Sequence, residues 1–175
     1  MQSGENRKRH YLLIRFNGAM VAVCVGISMN ASAAPPILKS IHCELVRSAN
    51  GGGGALELHL RNDGAQPVAL LRRNTPLEPM RADFLRVTRN DKRLVYLGPV
   101  AKRSVPTLDE YLTLSPGATI QHAFDASLGY DFSKPGRYRI VWNGELLDAA
   151  IGSAQPNPNS PQPARIQCAP VIVER

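Results

Sequence analysis

No two histidines in this sequence stand three to five residues apart. Beyond His10 there are only His42, His59 and His122. Hydrolytic zinc needs ligands at helical spacing, as in His-Glu-x-x-His with the Glu as base, so a metal site is not expected. His59 falls on the polar face of its segment, and His122 shares a face with Ile120 and Phe124, where a hydrogen-bonded, partly buried imidazole is expected. A Gly-x-Ser-x-Gly nucleophile elbow is also missing, which argues against serine hydrolase chemistry. Beyond the amino-terminal 33 residues the sequence has no Lys/Arg block and no basic stripe interleaved with aromatics, and aromatics make up only 6% of the whole chain. Nucleic-acid binding is not expected on those grounds. Nor does any segment carry a 3.6-residue apolar stripe with caps, so helices are not expected to build the core.

The amino terminus reads as an export signal over residues 1–33. Arg7, Lys8, Arg9 and Arg15 form a basic region, Ala19 to Met29 an apolar one, and Ala31-Ser32-Ala33 offers small residues for cleavage. The uncharged run from Phe16 is interrupted by Asn17 and Gly18 and is short for a membrane span. The alternative is an uncleaved anchor. Removing the segment takes away four of the 21 Lys and Arg and one of the 14 Asp and Glu, leaving 17 cations, 13 acids and a net charge near +4. Residues 34–175 are then read as one domain, periplasmic or extracellular, with no membrane span after cleavage.

Of the three cysteines, only Cys43 and Cys168 remain after that cleavage. An even count in an exported chain points to a disulfide. Two buried free thiols are the alternative. Both cysteines fall on the apolar face of a strand, in Ile41-His-Cys-Glu-Leu-Val46 and in Arg165-Ile-Gln-Cys-Ala-Pro-Val-Ile-Val173, so the bridge is expected to join the first and last strands inside the core.

Alternation with period two dominates the chain. Leu56, Leu58 and Leu60 share one face, opposite Glu57, His59 and Arg61, and Tyr138, Ile140 and Trp142 oppose Arg137 and Arg139. These are half-buried strands. Further strands are expected at 67–71, 84–88, 93–97 and 119–124, with turns at 61–67 and around Asn90-Asp91. Seven to nine short strands predict an all-β, immunoglobulin-like antiparallel β-sandwich. Asn50-Gly-Gly-Gly-Gly54 is expected to be a flexible loop, because a phosphate cradle needs a following helix and a strand follows instead. The Pro/Asn-rich stretch 152–163 is read as a second long loop. Asp-x-x-x-x-Gly136-x-Tyr138 leading into a strand matches the corner of immunoglobulin-like sandwiches, with Tyr138 as a structural anchor.

Leu94 to Gly117 fits none of this alternation. It holds Pro99, Pro106 and Pro116 and the adjacent cations Lys102 and Arg103. Without His or Cys it lacks a general base or strong nucleophile near neutral pH. Asp109 and Glu110, like Asp125 and Asp131, are expected to be solvated or to serve turns. The stretch from Pro99 to Pro106 is therefore expected to be an exposed loop.

Asn74-Thr-Pro-Leu-Glu78, Tyr96-Leu-Gly-Pro-Val-Ala-Lys-Arg103 and Leu114-Ser-Pro-Gly117, in that order, resemble the N-terminal, propeptide-like domain of deuterolysin-type (aspzincin) metallopeptidases, which include the peptidyl-Lys metalloendopeptidases. The likeness covers roughly residues 41–147. It implies a non-catalytic β-sandwich that associates with a zinc protease. The family's catalytic His-Glu-x-x-His and downstream Asp ligand have no counterpart within these residues, so no catalytic residue carries over and neither a metal nor a cofactor is expected. The reading that follows is an inhibitor or folding chaperone of a deuterolysin-like protease, contacting it through Pro99, Lys102, Arg103 and Pro106. The alternatives are a generic immunoglobulin-like module of the envelope and a remnant or truncated metallopeptidase.

Overall fold

The computed structural model describes residues 34–49 and 51–175. The expected export signal and Asn50 lie outside the described residues. Thirteen strands follow in order: β1 (Ile41–Arg47), β2 (Ala55–Asn62), β3 (Val68–Leu71), β4 (Leu85–Arg89), β5 (Lys92–Arg93), β6 (Tyr111–Leu114), β7 (Thr119–Asp125), β8 (Arg137–Trp142), β9 (Glu145–Leu146), β10 (Ala149–Ile151), β11 (Ala164–Arg165), β12 (Cys168–Ala169) and β13 (Val171–Glu174). Eight of them have four or more residues. The chain is an all-β sandwich of mainly antiparallel sheets.

One four-stranded sheet has the order β12-β1-β2-β7 and another the order β13-β8-β4-β5. A three-stranded sheet, β10-β3-β6, and the short pair β11-β9 complete the structure. Alternation sets which face each strand buries. Leu56, Leu58 and Leu60 of β2 are fully buried, and so are Val87 of β4 and Tyr138 and Ile140 of β8. All six belong to one core cluster with Trp142, Phe124 and Leu114. Among the described residues no helix is long and apolar enough to cross a membrane.

Cys43 and Cys168 form a disulfide across a Cα separation of 4.8 Å. They are direct partners in the parallel pairing of β1 with β12. The bridge joins the first strand to the penultimate one rather than to the last. The expected single terminal strand is broken because Pro170 has no N–H to donate. Ahead of it β12 pairs with β1, and beyond it β13 pairs antiparallel with β8. The chain changes sheets at Pro170, leaving Cys43 buried and Cys168 half-buried.

Three further expectations need correction. The strand expected at 93–97 stops at Arg93, since β5 pairs with β4 only through Lys92 and Arg93. Leu94 donates to the Val87 carbonyl, and Leu97 then donates to the Gly129 carbonyl at 2.8 Å, outside the ladder. Tyr111–Leu114, inside the stretch read as irregular, is a strand paired with β3. The glycine loop is also partly packed, as Gly53 and Gly54 are buried. A Cβ on Gly54 would stand 2.5 Å from the Ser127 nitrogen.

Candidate binding surface

Two connections meet at one side of the sandwich: residues 72–80, which follow β3, and residues 94–110, which precede β6. Arg72 and Arg73 leave the end of β3, where solvated cations would be expected. Both are instead spent on the second connection. Arg72 reaches the Asp109 and Glu110 carbonyls at 2.7 and 3.2 Å. Arg73, with only 7% of its surface exposed, grips the Glu110 carboxylate through Nε at 2.7 Å and Nη2 at 2.5 Å, and its Nη1 donates to the Ser104 carbonyl.

Glu110 is therefore not a solvated loop acid. Its carboxylate also accepts the Thr107 N–H at 2.9 Å and the Thr107 hydroxyl at 3.2 Å, closing a 3₁₀ turn over Leu108–Glu110. The guanidinium of Arg73, followed by the Thr107 N–H, holds the Glu110 carboxyl down at about 2. Next along the chain, Tyr111 donates to Asp148 Oδ2 at 2.5 Å, and Asp148 Oδ1 accepts the Gln162 N–H at 2.6 Å. Burial, then the neighbouring Asp148, push the Tyr111 hydroxyl well above its ordinary range. The long loop 152–163 is thus tied down by Asp148.

The Asn74–Glu78 segment supplies the second anchor. Asn74 takes a positive φ of 58°, a conformation Asn tolerates, and its N–H meets Glu78 Oε1 at 2.9 Å. The same oxygen accepts Arg103 Nη2 at 2.6 Å. Arg103, one of the residues expected at the partner contact, is exposed, and its guanidinium is paired with Glu78. Lys102 and Pro99 are exposed, and Pro106 is half-buried. Further back, Tyr96 packs edge-on against Tyr130 with centroids 5.5 Å apart, its hydroxyl donating to the Pro99 carbonyl at 2.8 Å. Ala101 donates to the Arg81 carbonyl at 3.0 Å.

This fastened backbone carries apolar side chains outward. Val95, Leu97 and Val100 are 75%, 75% and 78% exposed, and Val105 and Leu108 each 58%. Reading the loop for charge alone missed this surface; the signal was the apolar half of the alternation at Val95 and Leu97.

The Tyr138 hydroxyl donates to the Lys134 carbonyl at 2.6 Å, and its ring stacks on Phe132 at 4.8 Å. Gly136 sits at φ +146°. Asp125 and Asp131 accept the N–H of Ser127 and of Ser133, so both serve turns. His122 is half-buried, but its Nδ1 has no hydrogen-bond partner among the described residues, contrary to expectation. Among the described residues no group of three or more His, Cys, Asp or Glu converges on one point. A cleft of about 510 Å³ lies between Pro36, Leu38, β10 and the loop 152–163. Its one titratable lining residue, Asp148, is already engaged by Tyr111 and Gln162.

No protein-family model matches the chain. The chain is 23% identical over 128 residues to a protein named "Probable neutral protease 2 homolog" from Arthroderma otae, which covers 71% of this chain and 36% of that protein. It is 27% identical over 106 residues to a "Neutral protease 2 homolog" from Arthroderma gypseum, covering 59% of this chain and 30% of the relative. The chain therefore spans about a third of the length of the curated relatives it matches.

Proposed function

We propose that this protein is an exported, non-catalytic binding module that acts on a deuterolysin-type metallopeptidase, as its inhibitor or folding chaperone. The observation that carries the reading is the partial match. The similarity falls within a third of the length of two proteins named neutral protease 2 homologs. A module that in such a chain adjoins the rest of a protease needs a surface that fits it, and this chain is read as offering such a surface to a protease partner. The connection from Gly98 to Thr107 supplies a fastened candidate with Lys102 exposed on it. Prolines and anchored side chains lower the ordering cost of binding. The Cys43–Cys168 bridge suits an oxidising compartment, and residues 1–33 supply the export signal, cleaved after Ala33 or Ala34.

Calorimetric titration of the purified protein into a neutral protease 2 homolog tests the reading, with casein hydrolysis followed in parallel. Binding accompanied by slowed hydrolysis identifies an inhibitor. Binding accompanied by a higher yield of active protease on refolding identifies a chaperone. Absence of binding, or chelator-sensitive casein hydrolysis by the protein alone, overturns the proposal. Sequencing the amino terminus of the exported protein checks the cleavage site.

A further inference from the structure

Half of the ten large apolar side chains that stand exposed among the described residues fall between Val95 and Leu108, and a sixth, Leu128, precedes the residue that Leu97 bonds. Single exposed apolar residues are ordinary, whereas a concentration of them marks an interaction site. Mobility does not account for this one. The segment is fastened by Leu97 to Gly129, Tyr96 to Pro99, Ala101 to Arg81, Arg103 to Glu78 and Arg73 to Ser104. Buried charge is used to hold apolar side chains in water, the arrangement expected of a preorganised anchor.

The ends of the segment are cationic. Lys92 and Arg93 precede Leu94, and Lys102 and Arg103 follow Ala101. Lys92 and Lys102 are exposed; Arg93 is 65% exposed and stands 3.9 Å from Asp83. The nearby acids in sequence, Asp91 and Asp109, lie outside both cation pairs. Antiparallel contact with a second copy would set Lys92 and Arg93 of one chain against Lys102 of the other, which like-charge repulsion opposes.

We infer that Val95, Leu97 and Val100 form the apolar anchor of the protease interface, and that the partner offers an apolar groove with carboxylates at both ends. This rests on the reading of the preceding subsection and specifies the chemistry of its contact. Nine residue steps separate Arg93 from Lys102, which puts the two acidic ends of the groove at most ~30 Å apart.

The test titrates four proteins into a neutral protease 2 homolog: the wild type, Val95→Ser/Leu97→Ser/Val100→Ser, Lys92→Glu/Lys102→Glu, and His42→Ala/Arg61→Ala as a control at paired, exposed positions of β1 and β2. The apolar variant should bind at least tenfold more weakly. The charge-reversed variant should associate about tenfold more slowly at low salt, with the difference shrinking as salt rises. The control should bind as the wild type does. A wild type that fails to bind overturns the functional reading and this inference together. A wild type that binds while a folded apolar variant binds equally well overturns the inference alone. If the apolar variant fails to fold, the charge-reversed protein decides, and unchanged salt-dependent association overturns the inference. Sedimentation that finds a wild-type dimer, dissolved by the apolar substitutions, also overturns it by assigning the surface to a second copy.

Discussion

Arg73, almost wholly buried, closes a two-point ion pair on Glu110, 37 residues further along the chain. The partners are unequally placed, with side chains 8% and 25% exposed, so their removal should cost unequally. Glu110→Ala leaves a buried guanidinium without its carboxylate and should destabilise by about 3 kcal/mol. Arg73→Met leaves a carboxylate that water can reach and should cost less, about 1–2 kcal/mol. Urea unfolding of both variants checks the order. A larger loss for Arg73→Met would mean that the Ser104 contact outweighs the ion pair.

The same pair sets an acid limit. Glu110 titrates at about 2 in the fold against an ordinary value of 4.5. A depressed carboxyl pKa contributes stability that is complete above the unfolded value and is lost as pH falls through the folded one. Unfolding free energy should therefore decline as pH drops from about 4.5 towards 2. Glu110→Gln should remove part of that slope while lowering stability at pH 7. An unchanged slope in the variant would assign acid sensitivity to other carboxylates.

The disulfide closes 125 residues, nearly the whole domain. In the chain-entropy account a loop of that length contributes roughly 4–5 kcal/mol. Thiol titration of the denatured, unreduced protein should find neither Cys43 nor Cys168 free, and reduction should lower the melting temperature by well over 10 °C. Two titratable thiols would contradict the bridge.

Tyr138 fills the core with its ring and anchors Lys134 with its hydroxyl. Tyr138→Phe keeps the ring and should cost about 1 kcal/mol. Gly136→Ala should cost about 1–3 kcal/mol, since its φ is +146° and the added Cβ would meet Asn90 Oδ1 at 3.0 Å. Thermal unfolding of the two variants separates the hydrogen bond from the backbone requirement.

Strands with one face in the core and the other in water could be read from the sequence. Leu56, Leu58 and Leu60 against Glu57, His59 and Arg61 follow the pleat of β2 residue for residue. β6 could not, because only Leu114 of its four residues is fully buried and Pro116 follows closely. Leu94 to Leu97 misled in the opposite sense. Leu94 and Tyr96 pack on the core while Val95 and Leu97 face water, so the alternation is present without a ladder. The Arg73–Glu110 pair was hidden because adjacent cations in a loop look solvated until the fold brings a carboxylate to them. Cations that look scattered along the chain also gather in the fold. Pairing of β4 with β5 and β8 puts Arg93 and Arg139 both opposite Thr88, on the outer face that also carries Arg86 and Arg137.

Lys102 and Arg103 are adjacent in sequence but differ in employment, and that difference makes them separable. Arg103 holds Glu78, which also accepts the Asn74 N–H. Lys102 is exposed. Lys102→Ala should leave the melting temperature nearly unchanged, since exposed charges contribute little to stability. If Lys102 contacts a protease, the same substitution should weaken that binding several-fold, most strongly at low salt. Arg103→Ala should lower stability by about 1 kcal/mol and weaken binding indirectly, by freeing the segment that Glu78 restrains. Adding a second substitution, Glu78→Ala, separates the two effects. Once Glu78 is gone, Arg103→Ala should cost little further stability, because the interaction it made is already lost. Lys102→Ala should still weaken binding in that background. Equal binding by wild type and Lys102→Ala, with both folded, would remove Lys102 from the contact and leave the apolar side chains of the segment to account for it.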